Sequence, residues 1–124
     1  MNSWKDFAQL AAYLVQNADA SGTPEAARRS AVSRMYYAAF CLLRDHAQAH
    51  WNFEATEHSA DHARLRDLLR KRNQRELVSS MSDLQVWREM CDYRLTADGL
   101  ETLYEKAEKE AQEIFDYLDR CQGK

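Results

Sequence analysis

The sequence predicts an all-α protein, an antiparallel up-and-down bundle of about five helices. The 124 residues include 3 Gly and 1 Pro, too few for a sheet protein, which needs a tight turn roughly every 10 residues. Apolar residues recur at steps of three and four along most of the chain, which is the period of an amphipathic helix. Hydrophobic residues make up 45% of the chain, enough for a core. The length suits one domain over residues 1–124.

The first two helices are separated by a clear boundary. Ser3 can cap a first helix that ends near Asn17. Residues 19–24 then combine a Gly turn with a Thr cap and a Pro at the first helical position. We expect a long second helix from about Pro24 to about Ala49. Its interior alanines would let a neighbouring helix approach closely.

The third helix is predicted after residues 51–57, which show no sustained apolar period. It runs from about Ser59 to Gln74, with Leu65, Leu68 and Leu69 in its buried stripe. Its exposed side carries arginines.

Serine residues mark the start of the fourth helix. The candidate caps are Ser79, Ser80 and Ser82. This helix stops around Leu95, and the last helix starts at Thr96 or Asp98. The last helix keeps its apolar period almost to the C-terminus, with acidic residues on the other side.

No feature of the sequence indicates a membrane or an exported protein. The longest uncharged stretches, residues 7–18 and 35–43, are shorter than the roughly 18 apolar residues of a membrane span. No basic start, apolar core and cleavage site precede the first helix. The 3 cysteines have no CxxC or CxxH pattern, which argues against a disulfide framework and a zinc knuckle. We therefore expect a cytoplasmic protein that does not bind a membrane.

Positive charge is concentrated in the middle of the chain. Residues 63–94 carry 8 basic and 5 acidic side chains, whereas the chain as a whole has a net charge of −3. Such a cluster attracts phosphates, and it predicts RNA binding. The candidate RNA-binding residues are Arg64, Arg66, Arg70, Lys71 and Arg75. No aromatic lies between Phe53 and Trp87, so the pattern favours charge attraction rather than base readout.

The histidines form two pairs with four-residue spacing, His46 with His50 and His58 with His62. This spacing places both imidazoles of a pair on one helix face, so a metal-binding sensor is one alternative function. His50 and His58 fall at predicted helix ends, where fraying spoils the placement of metal ligands. We therefore predict no bound metal. The glycines are isolated and no nucleophile elbow is present, so we expect no nucleotide cofactor and no hydrolase of the usual kinds.

One string in the second helix, Ser-Arg-Met-Tyr-Tyr-Ala-Ala-Phe at residues 33–40, resembles the signature helix of the HEPN superfamily, in particular its small stand-alone prokaryotic members. A His early in the third helix, here His62, also matches. So does a later Arg-x-x-x-Asp-Tyr element, here Arg88 to Tyr93. The resemblance covers nearly the whole chain.

The resemblance implies either a binding module or a metal-independent RNase. Catalytic members are similar to one another in an Arg-x(4 to 6)-His motif, in which Arg stabilises phosphate charge and His moves a proton. After Arg88, this chain has Tyr93 at the position of the motif histidine. A phenol with an ordinary pKa near 10 is a poor base at neutral pH. The candidate catalytic residues are Arg88, Asp92 and Tyr93, although Arg88 and Asp92 can also form an ordinary ion pair.

Structural or interface roles are predicted for four other matched residues, which are Arg34, Tyr36, Tyr37 and His62. Tyr36 and Tyr37 are about 100° apart around their helix, so one can enter the core while the other faces a groove or a second subunit. Arg34 can support either ring with a hydrogen bond. The crowded apolar faces predict a homodimer through the second or fourth helix.

We therefore expect a binding or interaction module, the HEPN component of a toxin–antitoxin type system with RNA binding. The resemblance implies a minimal nucleotidyltransferase as its partner. The main alternative is an RNase toxin that uses Arg88 with Tyr93 or with a histidine from elsewhere in the dimer. The metal-binding sensor is the second alternative.

Overall fold

The computed structural model describes residues 4–94 and 99–122. Five α-helices make up most of this part of the chain, and they are α1 (Trp4–Gln16), α2 (Pro24–His50), α3 (Ala60–Lys71), α4 (Arg75–Tyr93) and α5 (Leu100–Gln122). A short 3₁₀ helix, Asp19–Ser21, joins α1 to α2. The predicted all-α antiparallel bundle of about five helices is confirmed. The predicted cap Ser3 and the boundary residues Leu95, Thr96 and Asp98 lie outside the described residues.

Helix α2 is the centre of the bundle. α1, α4 and α5 all pack against it, whereas α3 packs mainly against α4. Most side chains from Ala31 to Leu43 are buried, on nearly every side of the helix. A helix that is apolar all round belongs in a core. Ala31, Ala38 and Ala39 are 0% exposed, and these small side chains let the neighbouring helices approach closely.

Aromatic residues hold α1 against α2. The Trp4 indole nitrogen donates a 2.8 Å hydrogen bond to Asp45, and the Arg44 guanidinium lies 5.3 Å from the centre of the Trp4 ring. The exposed Arg34 lies 5.9 Å from the centre of the Phe7 ring. Cation–π contacts of this kind are worth about 0.5–1 kcal/mol at exposed sites. These contacts hold α1 in place against α2.

Helix α3 is shorter than the sequence predicts, because it ends at Lys71 rather than Gln74. Asn73 has a φ of 64°, a left-handed conformation that asparagine tolerates better than most residues. The Gln74 N–H then bonds to the Leu69 carbonyl at 2.9 Å. This satisfies a carbonyl of the last turn and closes the helix.

Helix α4 begins at Arg75, so its predicted start at one of three serines was wrong. The first turn is set by packing, since Leu77 is buried there and the Val78 N–H bonds to the Gln74 carbonyl at 3.1 Å. Ser80 does not cap the helix. It is 3% exposed and donates a 2.8 Å hydrogen bond to Glu110 of α5.

The loop before α3 is fastened by Asp61. This carboxylate accepts hydrogen bonds from the Thr56 hydroxyl at 2.7 Å and from the backbone N–H groups of Thr56 and Glu57 at 2.9 and 3.0 Å. Arg64 adds an ion pair at 2.8 Å. These contacts, led by the Thr56 hydroxyl, lower the pKa of Asp61 to about 2. The resulting stabilisation is present above the ordinary carboxyl pKa and is lost as the pH falls towards 2.

One hydrophobic cluster joins residues of all five helices. None of the helices within residues 4–94 and 99–122 combines the length and the apolarity needed to cross a bilayer.

Truncating a leucine of α2 should test how far the bundle depends on this helix. Leu43 is 0% exposed and Leu10 of α1 is 42% exposed. We expect Leu43→Ala to lower the free energy of unfolding by about 3 kcal/mol, because it leaves a cavity in the core. The matched control Leu10→Ala should change it by less than about 0.5 kcal/mol. Urea unfolding followed by circular dichroism measures both, and equal losses would contradict the central placement of α2.

Candidate functional site

A cluster of polar and aromatic side chains lies where α2, α3 and α4 meet, with Tyr36 at its centre. Tyr36 is 0% exposed, and its hydroxyl shares a short hydrogen bond with Nδ1 of His62. The His62 ring also stacks on Phe40, with 4.0 Å between ring centres. Burial raises the pKa of Tyr36 well above its usual value. Its hydroxyl therefore stays protonated, and the residue links α2 to α3.

Arg88 of α4 enters the same cluster from the other side. Its guanidinium lies 5.3 Å from the centre of the Tyr36 ring and 5.5 Å from that of Tyr37. One terminal nitrogen is 3.2 Å from Asp92, and the other is 3.8 Å from Glu89. The side chain is 10% exposed, and its Nε is buried without a hydrogen-bond partner among the described residues. Arg88 is therefore held by two aromatic rings and two carboxylates.

The three candidate catalytic residues come together at the end of α4. Burial lowers the pKa of Arg88, but the nearby Tyr37 and hydrogen bonds with Tyr93 and Asp92 outweigh this effect, so its pKa lies above the usual value. Asp92 also accepts a 3.4 Å hydrogen bond from Ser33 of α2. Tyr93 is 75% exposed. The Arg88–Asp92 ion pair that the spacing allows is thus formed.

His62 is a neutral imidazole at pH 7. Its pKa is lowered first by burial and then by the positive charges of Arg88 and Arg66. Arg66 donates a hydrogen bond to Gln85 of α4, which fixes it beside this cluster. A neutral imidazole has one protonated nitrogen and one free lone pair. With Nδ1 bonded to Tyr36, the nitrogen left for a ligand is Nε2.

The structure therefore brings together residues for which the sequence predicts different roles. Structural or interface roles were predicted for Tyr36, Tyr37 and His62, and a catalytic role for Arg88. All four pack together. The signal was present in the HEPN-like motifs, but residue spacing cannot show that a histidine of α3 meets an arginine of α4. Arg34 lies outside the cluster. It packs on Phe7 of α1 instead of supporting the tyrosines.

The predicted RNA-binding residues do not share one solvated helix face. Arg66 points towards α4, and Arg64 is bound to Asp61 and to the Glu54 carbonyl. The remaining three, Arg70, Lys71 and Arg75, are exposed where α3 ends and α4 begins. Arg70 pairs with Asp67 at 2.6 Å. The basic surface is thus limited to the end of α3 and the start of α4.

Two aromatic rings lie beside these cations, which corrects the expectation of a cluster without an aromatic platform. Arg72 lies 4.4 Å from the centre of the Trp51 ring, and Arg64 lies 4.8 Å from that of Phe53. Both rings come from the loop after α2, which precedes the basic residues in the sequence. The chain folds this loop back onto α3.

The two histidine pairs have different surroundings. The His46 and His50 rings are 4.5 Å apart, and Trp51 packs on His46. Burial, His50 and Arg72 lower the pKa of His46. His62, by contrast, belongs to the Tyr36 cluster. In the part of the chain that the structure describes, no group of three or more His, Cys, Asp or Glu side chains could hold a metal ion.

The chain matches no protein-family model, no curated protein and no solved structure. Membership of the HEPN superfamily therefore stays a prediction that rests on the motif residues.

Removing the charge of Arg88 should raise the pKa of His62, because a positive neighbour disfavours the imidazolium. We expect His62 to titrate below 6.5 in the wild type and closer to it in Arg88→Gln. An NMR titration of the imidazole protons, assigned with His62→Gln, measures this. In the control Arg70→Gln the His62 pKa should not change, since Arg70 is exposed and pairs with Asp67. An unchanged His62 pKa in Arg88→Gln would contradict the cluster.

Because the pKa of His62 is lowered in the folded protein, the protein should lose stability as the pH falls. The unfolded chain takes up this proton below about pH 6.5, whereas the folded chain resists it. The contribution of His62 to stability is therefore present above that pH and is lost as the pH falls through the lowered folded-state pKa.

Proposed function

We propose that the protein is an RNA-binding module of the HEPN type, which binds the RNA backbone through the end of α3 and the start of α4. The observation that carries this proposal is the exposure of Arg70, Lys71 and Arg75 on that surface. Lys71 and Arg75 form no ion pair with any described residue. Cations without an internal partner are available to phosphates, and their binding releases counterions.

The Tyr36 cluster has a structural role in this proposal. Arg88 is 10% exposed and faces carboxylates of Asp92 and Glu89. A phosphate that approached Arg88 would have to displace Asp92 against the repulsion of both carboxylates. The cluster instead satisfies the buried hydroxyl of Tyr36 and connects three helices. We therefore propose binding without efficient cleavage.

The wider biological role follows from the resemblance alone. The resemblance favours the HEPN component of a toxin–antitoxin type system in the cytoplasm, with a minimal nucleotidyltransferase as partner protein.

A homodimer through α4 is part of the proposal. Val86 and Tyr93 are 52% and 75% exposed, and their seven-residue separation places them on one face of the helix. Large exposed apolar side chains on one face suit a contact with a second copy, in which the same patch serves both subunits.

A metal-independent RNase is the second candidate, and the packing of His62 and Arg88 on the same tyrosine favours it. In this reading Nδ1–H of the neutral His62 donates to the Tyr36 oxygen, which leaves the free lone pair on Nε2. Nε2 accepts the proton of an RNA 2′-hydroxyl while the 2′-oxygen attacks the adjacent phosphorus, and the bond from that phosphorus to the 5′-oxygen of the next nucleotide breaks as this oxygen takes a proton from water. Arg88 stabilises the phosphate charge. His62 would then replace the missing motif histidine at the Tyr93 position. This chemistry requires Asp92 to release Arg88.

RNA binding should weaken steeply as salt rises. We expect Lys71→Ala and Arg75→Ala each to reduce the slope of log affinity against log salt by about one unit, since each removes one phosphate contact. Lys106→Ala is the matched control, because Lys106 is an exposed cation on the acidic α5 and should leave the slope unchanged. Fluorescence anisotropy with a labelled single-stranded RNA measures the slope. Salt-independent or absent binding would contradict the proposal.

Incubation of the wild type and of three variants of the Tyr36 cluster and its neighbour Tyr93 with RNA under a chelator decides between binding and cleavage. We expect the wild type to leave the RNA as intact as His62→Ala, Arg88→Ala and Tyr93→Phe do. Cleavage by the wild type that disappears in His62→Ala and Arg88→Ala but persists in Tyr93→Phe would establish the RNase with His62 as its base. Loss of cleavage in Tyr93→Phe as well would bring Tyr93 into the reaction.

The dimer has its own test. Sedimentation at tens of micromolar protein should give a mass of twice 14.5 kDa, and Val86→Asp should shift it towards one chain, because a carboxylate is costly in an apolar contact. Leu10→Asp is the control, since Leu10 is exposed on α1. A single-chain mass for the wild type would remove the dimer from the proposal.

A further inference from the structure

A groove of about 370 Å³ lies between the loop after α2 and the outer side of α3. We call it the loop–α3 groove. The loop contributes Trp51, Asn52, Phe53 and Glu54, and α3 contributes Leu68 and Lys71 among others. It is separate from the Tyr36 cluster, because Leu68 and Arg66 are two residues apart and so lie on opposite sides of α3.

The groove offers a surface on which a flat ring can stack. The partly exposed Trp51 ring has the Arg72 guanidinium 4.4 Å from its centre. The Phe53 ring is only 8% exposed and lies beneath the Arg64 guanidinium, at 4.8 Å. The stacking surface therefore consists of Trp51 and the two exposed guanidinium groups. Unpaired bases stack on aromatic rings and on arginine planes, and each such contact is worth a substantial part of single-strand affinity. An aliphatic ligand would make no use of this layer.

The loop that carries the rings is fixed before any ligand binds. Asp61 ties it down through the backbone and hydroxyl of Thr56 and the backbone of Glu57. Asn52 and Glu57 have φ values of 56° and 64°, which hold the chain in a sharply turned path. A preformed site loses less entropy on binding than a flexible loop does.

Two carboxylates border the groove, and they differ in availability. Asp67 is paired with Arg70 at 2.6 Å. The Glu54 carboxylate is exposed and makes no hydrogen bond or ion pair with a described residue. A carboxylate only accepts hydrogen bonds, so its best match is a ring edge with two adjacent donors. Guanine presents N1–H and the 2-amino group side by side, whereas uracil has one donor between two acceptors, and adenine and cytosine each place an acceptor beside the amino group.

The surroundings of the groove favour a strand over a free nucleotide. Lys71 lines the groove, Arg72 follows it directly, and the exposed Arg70 and Arg75 continue the basic surface beyond it. A nucleotide in the groove would therefore have its flanking phosphates beside further cations, which only a strand can use.

We infer that the loop–α3 groove binds a guanine base of single-stranded RNA, with the base stacked beside Trp51 and its donor edge on Glu54. This inference rests on the proposed RNA binding and adds a base preference that charge attraction alone does not give.

Labelled RNA hexamers test it by fluorescence anisotropy at a fixed salt concentration. The probes are hexauridylate and the same hexamer with one central uracil replaced by guanine or by adenine. We expect the guanine hexamer to bind about tenfold more tightly than the other two, as a bidentate base contact allows. Equal affinity of the three hexamers, with steep salt dependence retained, would overturn the guanine site and leave the proposed function standing. No binding of any hexamer would overturn both.

Two variants locate the preference. Glu54→Gln should bring the guanine preference close to one while hexauridylate binds at least as tightly as before. The matched control Glu57→Gln, in the same loop but outside the groove lining, should keep the preference. Trp51→Leu, checked for folding by circular dichroism, should weaken the guanine hexamer about tenfold. A guanine preference that survives both Glu54→Gln and Trp51→Leu would overturn the placement.

Guanosine monophosphate as competitor separates a strand site from a nucleotide site. It should displace the guanine hexamer only at a much higher concentration than unlabelled hexamer does, because it lacks the flanking phosphates. Displacement at equal concentrations would overturn the assignment to a strand.

Discussion

The buried hydroxyl of Tyr36 is the constraint on which the rest of the site depends. It lies where α2, α3 and α4 meet, and it is satisfied by His62 of α3. A buried polar group without a partner costs roughly 1–3 kcal/mol, so the hydrogen bond strongly favours one rotation of α3 about its axis. Arg88 completes the contact from α4 by packing on the same ring.

The rotation of α3 determines which of its charges are available. Once His62 faces the core, Arg66 turns to Gln85 of α4, and Arg64 turns to the loop before the helix. The cations left for solvent lie at the end of α3 and just beyond it. The same rotation presents the outer side of α3 to Trp51 and Phe53. The polar cluster inside the bundle and the basic surface outside it therefore have one physical cause.

The two surfaces differ in how they treat an anion. Around Arg88, carboxylates and aromatic rings use the charge inside the protein, and desolvation makes a further ligand costly. At the end of α3, Lys71 has no internal partner and water already solvates it, so a phosphate needs to displace only counterions and water. Equal charges thus have different consequences because their burial differs.

The sequence by itself determined the helices, because apolar spacing and the turn before Pro24 are local signals. The serine residues predicted the wrong start for α4, because the packing of Leu77, and not a serine cap, sets the first turn of that helix. The groups that share a site were decided by the tertiary structure alone. Tyr36 and His62 are 26 residues apart, and the loop that carries Trp51 folds back onto α3. Such contacts depend on the rotation of each helix against its neighbours, which is set by packing and by the need to satisfy buried polar groups.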